Sequence, residues 1–370
     1  MHASSPTTRR RRRGLAATAA AGAALLAGAA AAPAATASTA ASPALTARVI
    51  FSGAAAGITH PDDAARIGDR LFVAFQNSVP STGGTPGAPA GPTTQSTVVE
   101  LTMSGRLVTR WQLTGKCDGL AADPAHNRLI ATVNEDGNSS VYTIGLAGGI
   151  THLSYNADPL PHGGGTDAVS VVNGTIYTSG SAPTVLGPAL YRVALSGRTA
   201  RLVSTPFFDS SVGMWANTGQ TGTRVTLALT DPDSTIAVPM VAPRFGGDFM
   251  VNSQGDQQQI YVSDIGTPAQ RLRVLALSQS VDDTAWATTT TGSLVVTDST
   301  NDTVDLVTGA FTVGRTYAGV TPADSNTPPP NPPANYLGTI ALSTGMVSPL
   351  AVGGVSVVPA GLLFVPGSQK

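Results

Sequence analysis

The sequence predicts an all-β protein built from repeated four-stranded sheets set around an axis. Three observations predict it. Five segments share one pattern: an aspartate, a short apolar run, a polar turn and a second strand-like run. Their aspartates are Asp62, Asp118, Asp167, Asp233 and Asp283, spaced 49 to 66 residues apart, the range of β-propeller blades. Charged residues are only 12% of the chain, while Gly and Pro total 68 of 370 residues, a composition of strands and turns. No helical periodicity is sustained beyond the N-terminal segment. The expected architecture is a β-propeller of six four-stranded blades, with seven as the alternative, closed by an N-terminal strand.

The second repeat defines the unit. Its innermost strand is expected at Gly119–Ala122, followed by strands at Arg128–Val133, Ser140–Ile144 and Ile150–Ser154. Polar turns at 124–127 and 134–138 separate the first three, as hairpins require. The first repeat predicts outer strands at Arg70–Gln76, Thr97–Thr102 and Leu107–Leu113. The third predicts them at Thr175–Thr178, Leu190–Leu195 and Ala200–Ser204, and the fourth at Asp248–Asn252, Gln258–Ser263 and Arg271–Leu277. In the fifth, Ser293–Thr297 is expected as the second strand and Thr303–Thr321 as an inserted hairpin. Tyr336–Leu342 and Val347–Val352 then complete it. A sixth copy, GVSVVPAGLLFVPG, carries Gly354 in the aspartate position and supplies two strands. Ala47–Ser52 is left to complete the last blade and remove a sheet edge. Asp209–Thr230 fits no blade and is the source of the seven-blade alternative. The Pro-rich stretches Ser78–Ser96 and Pro322–Asn335 are expected as loops within one domain spanning 47–370.

Residues 1–37 read as an export signal: Arg9–Arg13, then a charge-free alanine-rich run from Gly14, then the small-residue site Ala35-Thr36-Ala37. Arg12-Arg13-Gly14-Leu15-Ala16 fits a twin-arginine pattern, and five arginines equally suit the general secretory route. Residues 38–46 are expected as a flexible segment. The expected product is an exported, extracellular or wall-associated monomer without a membrane anchor. Cleavage would remove five of the 21 basic residues and none of the 22 acidic ones, leaving an acidic chain. Such a chain is a poor nucleic-acid or anionic-membrane binder. The single Cys117 cannot form an internal disulfide and is expected as a small buried residue.

The segments LFVAFQN (71–77), IYTSGS (176–181), IYVSD (260–264) and LFVPG (363–367) resemble YVTN and NHL-type propeller repeats of exported proteins from high-GC bacteria. The resemblance covers most of the mature chain. It implies the fold and leaves function open, because such propellers host enzymes, binders and scaffolds alike. A weaker similarity to regucalcin and gluconolactonase propellers implies a Glu, Asn and Asp set around one divalent metal, with a carboxylate as general base. This chain has only two glutamates, Glu100 and Glu135, and neither precedes an innermost strand.

Strand parity locates the chemistry. In a four-stranded meander the connections into the first strand, and those between second and third strands, share one face. The five aspartates, the polar turns near 134–138, 252–256 and 298–302, and both Pro-rich loops therefore gather at one channel mouth. Asp62, Asp118, Asp167, Asp233 and Asp283, with His60 and His162, are the candidate ligand-binding residues. A ring of carboxylates suits Ca²⁺, with Asp118, Asp167 and Asp283 as candidate ligands. The competing reading is structural, each aspartate accepting backbone N–H bonds and fixing its turn. No G-x-S-x-G, H-E-x-x-H or C-x-x-C occurs. The expected function is a module binding a protein or small polar ligand through the loop-rich face, with a metal-dependent, lactonase-like hydrolase or lyase as the alternative.

Overall fold

The computed structural model describes residues 45–84, 94–184, 186–321 and 335–367. The export signal and most of the segment expected to be flexible lie outside the described residues, as do 85–93 and 322–334 of the Pro-rich stretches.

Strand β1 (Leu45–Ser52) leads through a short helix, α1 (Gly53–Ala56), into the first four-stranded meander. That meander is β2 (Pro61–Ile67), β3 (Arg70–Phe75), β4 (Gln95–Thr102) and β5 (Leu107–Thr114). The second is β6 (Cys117–Asp123), β7 (Arg128–Val133), β8 (Ser140–Gly145) and β9 (Ile150–Tyr155). The third is β10 (Thr166–Val172), β11 (Thr175–Gly180), β12 (Pro188–Ser196) and β13 (Thr199–Phe208). Asn173 and Gly174, both with positive φ, make the tight turn between β10 and β11. A short parallel contact between β13 and β9 joins the second and third meanders along their outer edges.

Next comes a hairpin, β14 (Val212–Trp215) and β15 (Arg224–Thr226), and then the fourth meander: β16 (Pro232–Ala237), β17 (Phe249–Ser253), β18 (Gln258–Ser263) and β19 (Arg271–Ala276). The hairpin pairs in parallel with β19 and extends that sheet outward. Asp209–Thr230 is thus an outer addition, not a blade of its own.

The fifth meander is discontinuous. Its innermost strand is β20 (Thr284–Trp286). The chain then leaves to form β21 (Gly292–Asp298) and β22 (Thr303–Thr308), and returns as β23 (Thr316–Val320), β24 (Tyr336–Ala341) and β25 (Met346–Pro349). The expected second strand, Ser293–Thr297, therefore belongs to another sheet. In that closing sheet β26 (Val352–Gly354) and β27 (Pro359–Pro366) complete the order β26-β1-β22-β21-β27. The last repeat supplies its innermost strand and an edge, and the departing hairpin supplies the middle. The N-terminal strand β1 pairs antiparallel with β22, as closure requires.

Packing follows from two-residue alternation. In β3, Leu71, Val73 and Phe75 meet Val295, Val304 and Val365 of the closing sheet. Phe72 and Ala74, on the opposite side, meet Leu129, Ala131 and Ile144 of the second meander. The same division continues through the second and third, third and fourth, fourth and fifth, and fifth and closing sheets. Among the described residues, six apolar cores thus lie between the five meanders and the closing sheet, in a propeller-like arrangement.

Deleting residues 45–52 removes Leu45 and Ala47 from one core and Phe51 from the next, and bares the edge of β22. We expect a large fall in Tm and aggregation through the open edge, read by calorimetry and light scattering. An unchanged cooperative melt would refute the role of β1 in closure.

Candidate functional site

Five of the innermost strands begin with the same irregularity. Pro61 pairs with Phe75 and Ala64 with Val73, so Asp62 and Asp63 together face the single residue Ala74. Asp118 and Gly119 likewise face Thr132, and Asp167 and Ala168 face Ser179. Asp233 is the extra residue between Pro232 and Ser234, and Ala360 with Gly361 faces Thr297. These are β-bulges, which re-aim side chains beside functional sites. Here they turn the aspartates toward the channel axis.

A side chain on the second strand of one sheet then fixes the next bulge. Thr132 Oγ1 donates to the carbonyl of Asp167 while accepting from Gly119 N at 3.1 Å. Thr297 Oγ1 donates to the carbonyl of Asp62 while accepting from Gly361 N at 2.6 Å. Asn252 Nδ2 donates to the carbonyl of Asp282 at 3.1 Å. These bonds define the equivalent positions as Asp62, Asp118, Asp167, Asp233, Asp282 and Ala360. Two expectations are corrected by them. The fifth ring residue is Asp282, not Asp283, and the sixth position is Ala360, not Gly354, which lies in the edge strand β26.

Asp63 and Asp283, one residue further along, do different work. Asp63 accepts from Ala64 N at 2.7 Å and from Leu120 N of the next sheet at 2.8 Å. Asp283 accepts from Thr284 N at 2.6 Å and from Leu362 N of the closing sheet at 2.7 Å. They clasp neighbouring innermost strands, so the structural reading of the aspartates applies to these two.

The ring aspartates form the floor of a cavity of about 420 Å³ at the channel mouth. Eight carboxyl groups line it: Asp62, Asp118, Asp167, Asp233, Asp282, and above them Glu135, Asp136 and Asp231. One cation enters. Lys116, one of two lysines in the chain, places Nζ 2.9 Å from Asp118 Oδ1 and against Glu135 Oε1. Gln76 Nε2 also donates to Asp118, at 3.2 Å. The second oxygens of Asp118, Asp167 and Asp233 are buried without a hydrogen-bond partner. Asp118 and Asp167 are each only 4% exposed.

Such crowding raises carboxyl pKa values. Burial pushes Asp118 up to about 7 even with Lys116 opposing. Burial, then the charges of Glu135 and Asp118, raise Asp167 well above the carboxylate range. Burial, then Asp282 and Asp118, do the same to Asp62. Burial raises both Asp233 and Asp282, Asp233 strongly, where the neighbouring Asp282 charge adds to it. Burial lowers the pKa of Lys116, but Asp118 and Glu135 outweigh it, and the ammonium stays charged.

The candidate histidines lie elsewhere. His162 is fully buried between Tyr191 OH, 2.5 Å from Nδ1, and the Gly165 carbonyl, 2.7 Å from Nε2, and burial keeps it neutral. His60 is exposed in its loop, its N–H bonded to Asp302 at 2.7 Å. Neither lines the mouth. Among the described residues, no three His, Cys, Asp or Glu side chains are grouped closely enough to hold one metal ion. Of the three candidate Ca²⁺ ligands, Asp283 has both oxygens committed to its clasp.

No protein-family model matches the chain, and the curated proteins give no match. Solved structures share its general form. A periplasmic gluconolactonase of Pseudomonas aeruginosa is 13% identical over 83% of this chain and 88% of its own, with a TM-score of 0.44. A protein of unknown function from Desulfotomaculum acetoxidans is 9% identical over 82% and 89%, at 0.43. A gluconolactonase of Xanthomonas campestris is 12% identical over 72% and 94%, at 0.37. Identities and scores this low bear on neither substrate nor mechanism.

The two tiers respond oppositely to substitution. Asp283→Ala strands two backbone donors and should destabilise by about 1–3 kcal/mol. Asp167→Asn removes a buried like charge and should raise Tm at neutral pH. Because the ring pKa values are raised on folding, their contribution to stability is full below about pH 4, the unfolded value. It is lost as pH rises through the folded values, about 7 for Asp118 and further above the ordinary carboxylate range for Asp62, Asp167 and Asp233. Thermal melts from pH 4 to 9 check this, and Asp167→Asn should flatten the decline. A lower Tm for Asp167→Asn at pH 8 would sink the electrostatic account.

Proposed function

We propose that the protein is a binding module whose acidic channel mouth takes a small ligand through an ammonium group. The observation that supports this most is the pair Asp118 and Asp167. Both are nearly fully buried, each has one oxygen without a hydrogen-bond partner, and both line a cavity that already accommodates one alkylammonium, that of Lys116. A buried carboxylate without a partner is costly, and a cation carrying N–H donors relieves it.

Lys116 serves the Asp118 and Glu135 side. Across the mouth, burial and carboxyl crowding raise the pKa values of Asp233 and Asp282, with Lys116 opposing at Asp282. An incoming ammonium would relieve that crowding. The cavity is larger than one ion needs and falls within the range of small-molecule sites. No aromatic side chain lines it. A quaternary ammonium held by π faces is thus a poor fit, and an amine with N–H donors a good one. Metal-dependent lactone hydrolysis finds no grouped ligand set among the described residues.

Calorimetric titration with propylamine and with 1-propanol as its neutral counterpart tests the reading. Propylamine should bind and propanol should not. Affinity should rise from pH 5 to 8 as Asp118, near 7, and its neighbours lose protons while the amine stays charged. Asp167→Asn should weaken binding about tenfold, equivalent to about 1.4 kcal/mol. Equal binding of amine and alcohol, or affinity independent of pH, would overturn it.

A further inference from the structure

We propose that the guest is amphiphilic: a monoamine with an aliphatic tail, its ammonium in the acidic ring and its tail threaded along the channel. This rests on the ammonium reading of the mouth and extends it to the rest of the axis.

Three spaces follow one another down the axis and share walls. The acidic mouth shares its ring aspartates with a waist of about 50 Å³. The waist shares Asp63, Val169, Thr235 and Asp283 with a lower mouth of about 330 Å³. The innermost strands grade in chemistry along this path. Below the ring come small residues, Gly119, Ala168, Ser234 and Gly361, and then Leu120, Val169 and Leu362. The lower mouth is lined by Leu120, Val169, Val171, Ile236, Leu362 and Leu363.

The waist is polar: seven aspartates line it together with Ser234 and Thr235. Asp63 and Asp283 reach it, but their oxygens are turned to backbone N–H groups. Ala168, Val169 and Gly361 supply apolar wall, and Gly361 leaves its side of the wall flat. A Cβ there would fall 2.2 Å from the Asp62 carbonyl oxygen, so close strand contact itself demands the glycine.

The polarity of the guest follows from the two ends. A cation is favoured at the ring. At the lower mouth the charged side chain beyond the waist is Arg66, which disfavours a second ammonium. A diamine thus fits worse than a monoamine whose far end is hydrocarbon. Each methylene of the tail that leaves water for the aliphatic wall of the lower mouth gains roughly threefold to fourfold in affinity, the equivalent of about 0.8 kcal/mol.

The test compares propylamine, octylamine and 1,8-diaminooctane on the intact protein by calorimetric titration. Octylamine should bind at least tenfold more tightly than propylamine, and more tightly than the diamine. Ile236→Ser at the lower mouth should erase most of the advantage of octylamine while propylamine binds as before. Leu363→Ser, at another half-buried wall position, provides the same reading if the first variant fails to fold. Failure of propylamine itself to bind would bring down the ammonium reading. Binding of propylamine with no gain for octylamine, or a gain that survives both variants, would overturn the threaded tail alone.

Discussion

The fold and its candidate site depend on one recurring contact. A hydroxyl or amide on the second strand of one sheet grips the bulge at the head of the next innermost strand. Thr132, Thr297 and Asn252 do this across three different sheet boundaries. The contact does two things at once. It sets the lateral spacing of the sheets at the axis, where there is least room for side chains. It also holds each bulge so that the aspartate faces inward and cannot escape to solvent. Inter-sheet cohesion and the acidic mouth are therefore products of the same bonds.

That arrangement confines like charges, which a folded chain normally avoids. Three devices make it tolerable. Lys116 reaches in from the connection ahead of β6 and neutralises one side. Raised pKa values at Asp233 and Asp282 favour their neutral forms on another. Asp63 and Asp283 withdraw from the crowd by bonding to the backbone of neighbouring strands. What remains unpaired is one oxygen each of Asp118, Asp167 and Asp233. The proposed guest cation would meet one flank occupied by an internal ammonium and the other by carboxyls whose pKa values burial has raised.

Much of this was legible in the sequence. The repeated aspartate followed by an apolar run marked the innermost strands, and strand parity alone placed the aspartates and the 134–138 turn at one mouth. The tandem pairs hid the finer assignment. Asp62-Asp63 and Asp282-Asp283 each contain one ring residue and one clasp, and only the bulge register separates them. Choosing Asp283 selected the clasp. The closing sheet was harder still, because Gly292–Thr308 reads locally as an ordinary second strand and hairpin of the fifth repeat. Its true partners, Leu45–Ser52 and Pro359–Pro366, are distant in sequence, and no local pattern encodes that pairing. Lys116 carried a usable signal: in a chain with two lysines, one stands two residues before a repeat aspartate. His162, next to Gly163-Gly164-Gly165, looked like a loop residue exposed at the mouth, but Tyr191 and the Gly165 carbonyl bury it.

The closing sheet also imposes an order on synthesis. Its five strands come from the beginning, the late middle and the last dozen or so described residues of the chain. While a ribosome is still making the protein, the first four meanders can form and stack on one another, since each is contiguous. The ring cannot shut. β1 waits with its apolar side uncovered until β22 is made, and β21 waits for β27. Completion is thus a late, non-local event, the slow kind of contact formation. Until then the growing chain carries open strand edges, so the N-terminal strand is the segment in greatest need of shielding during translation.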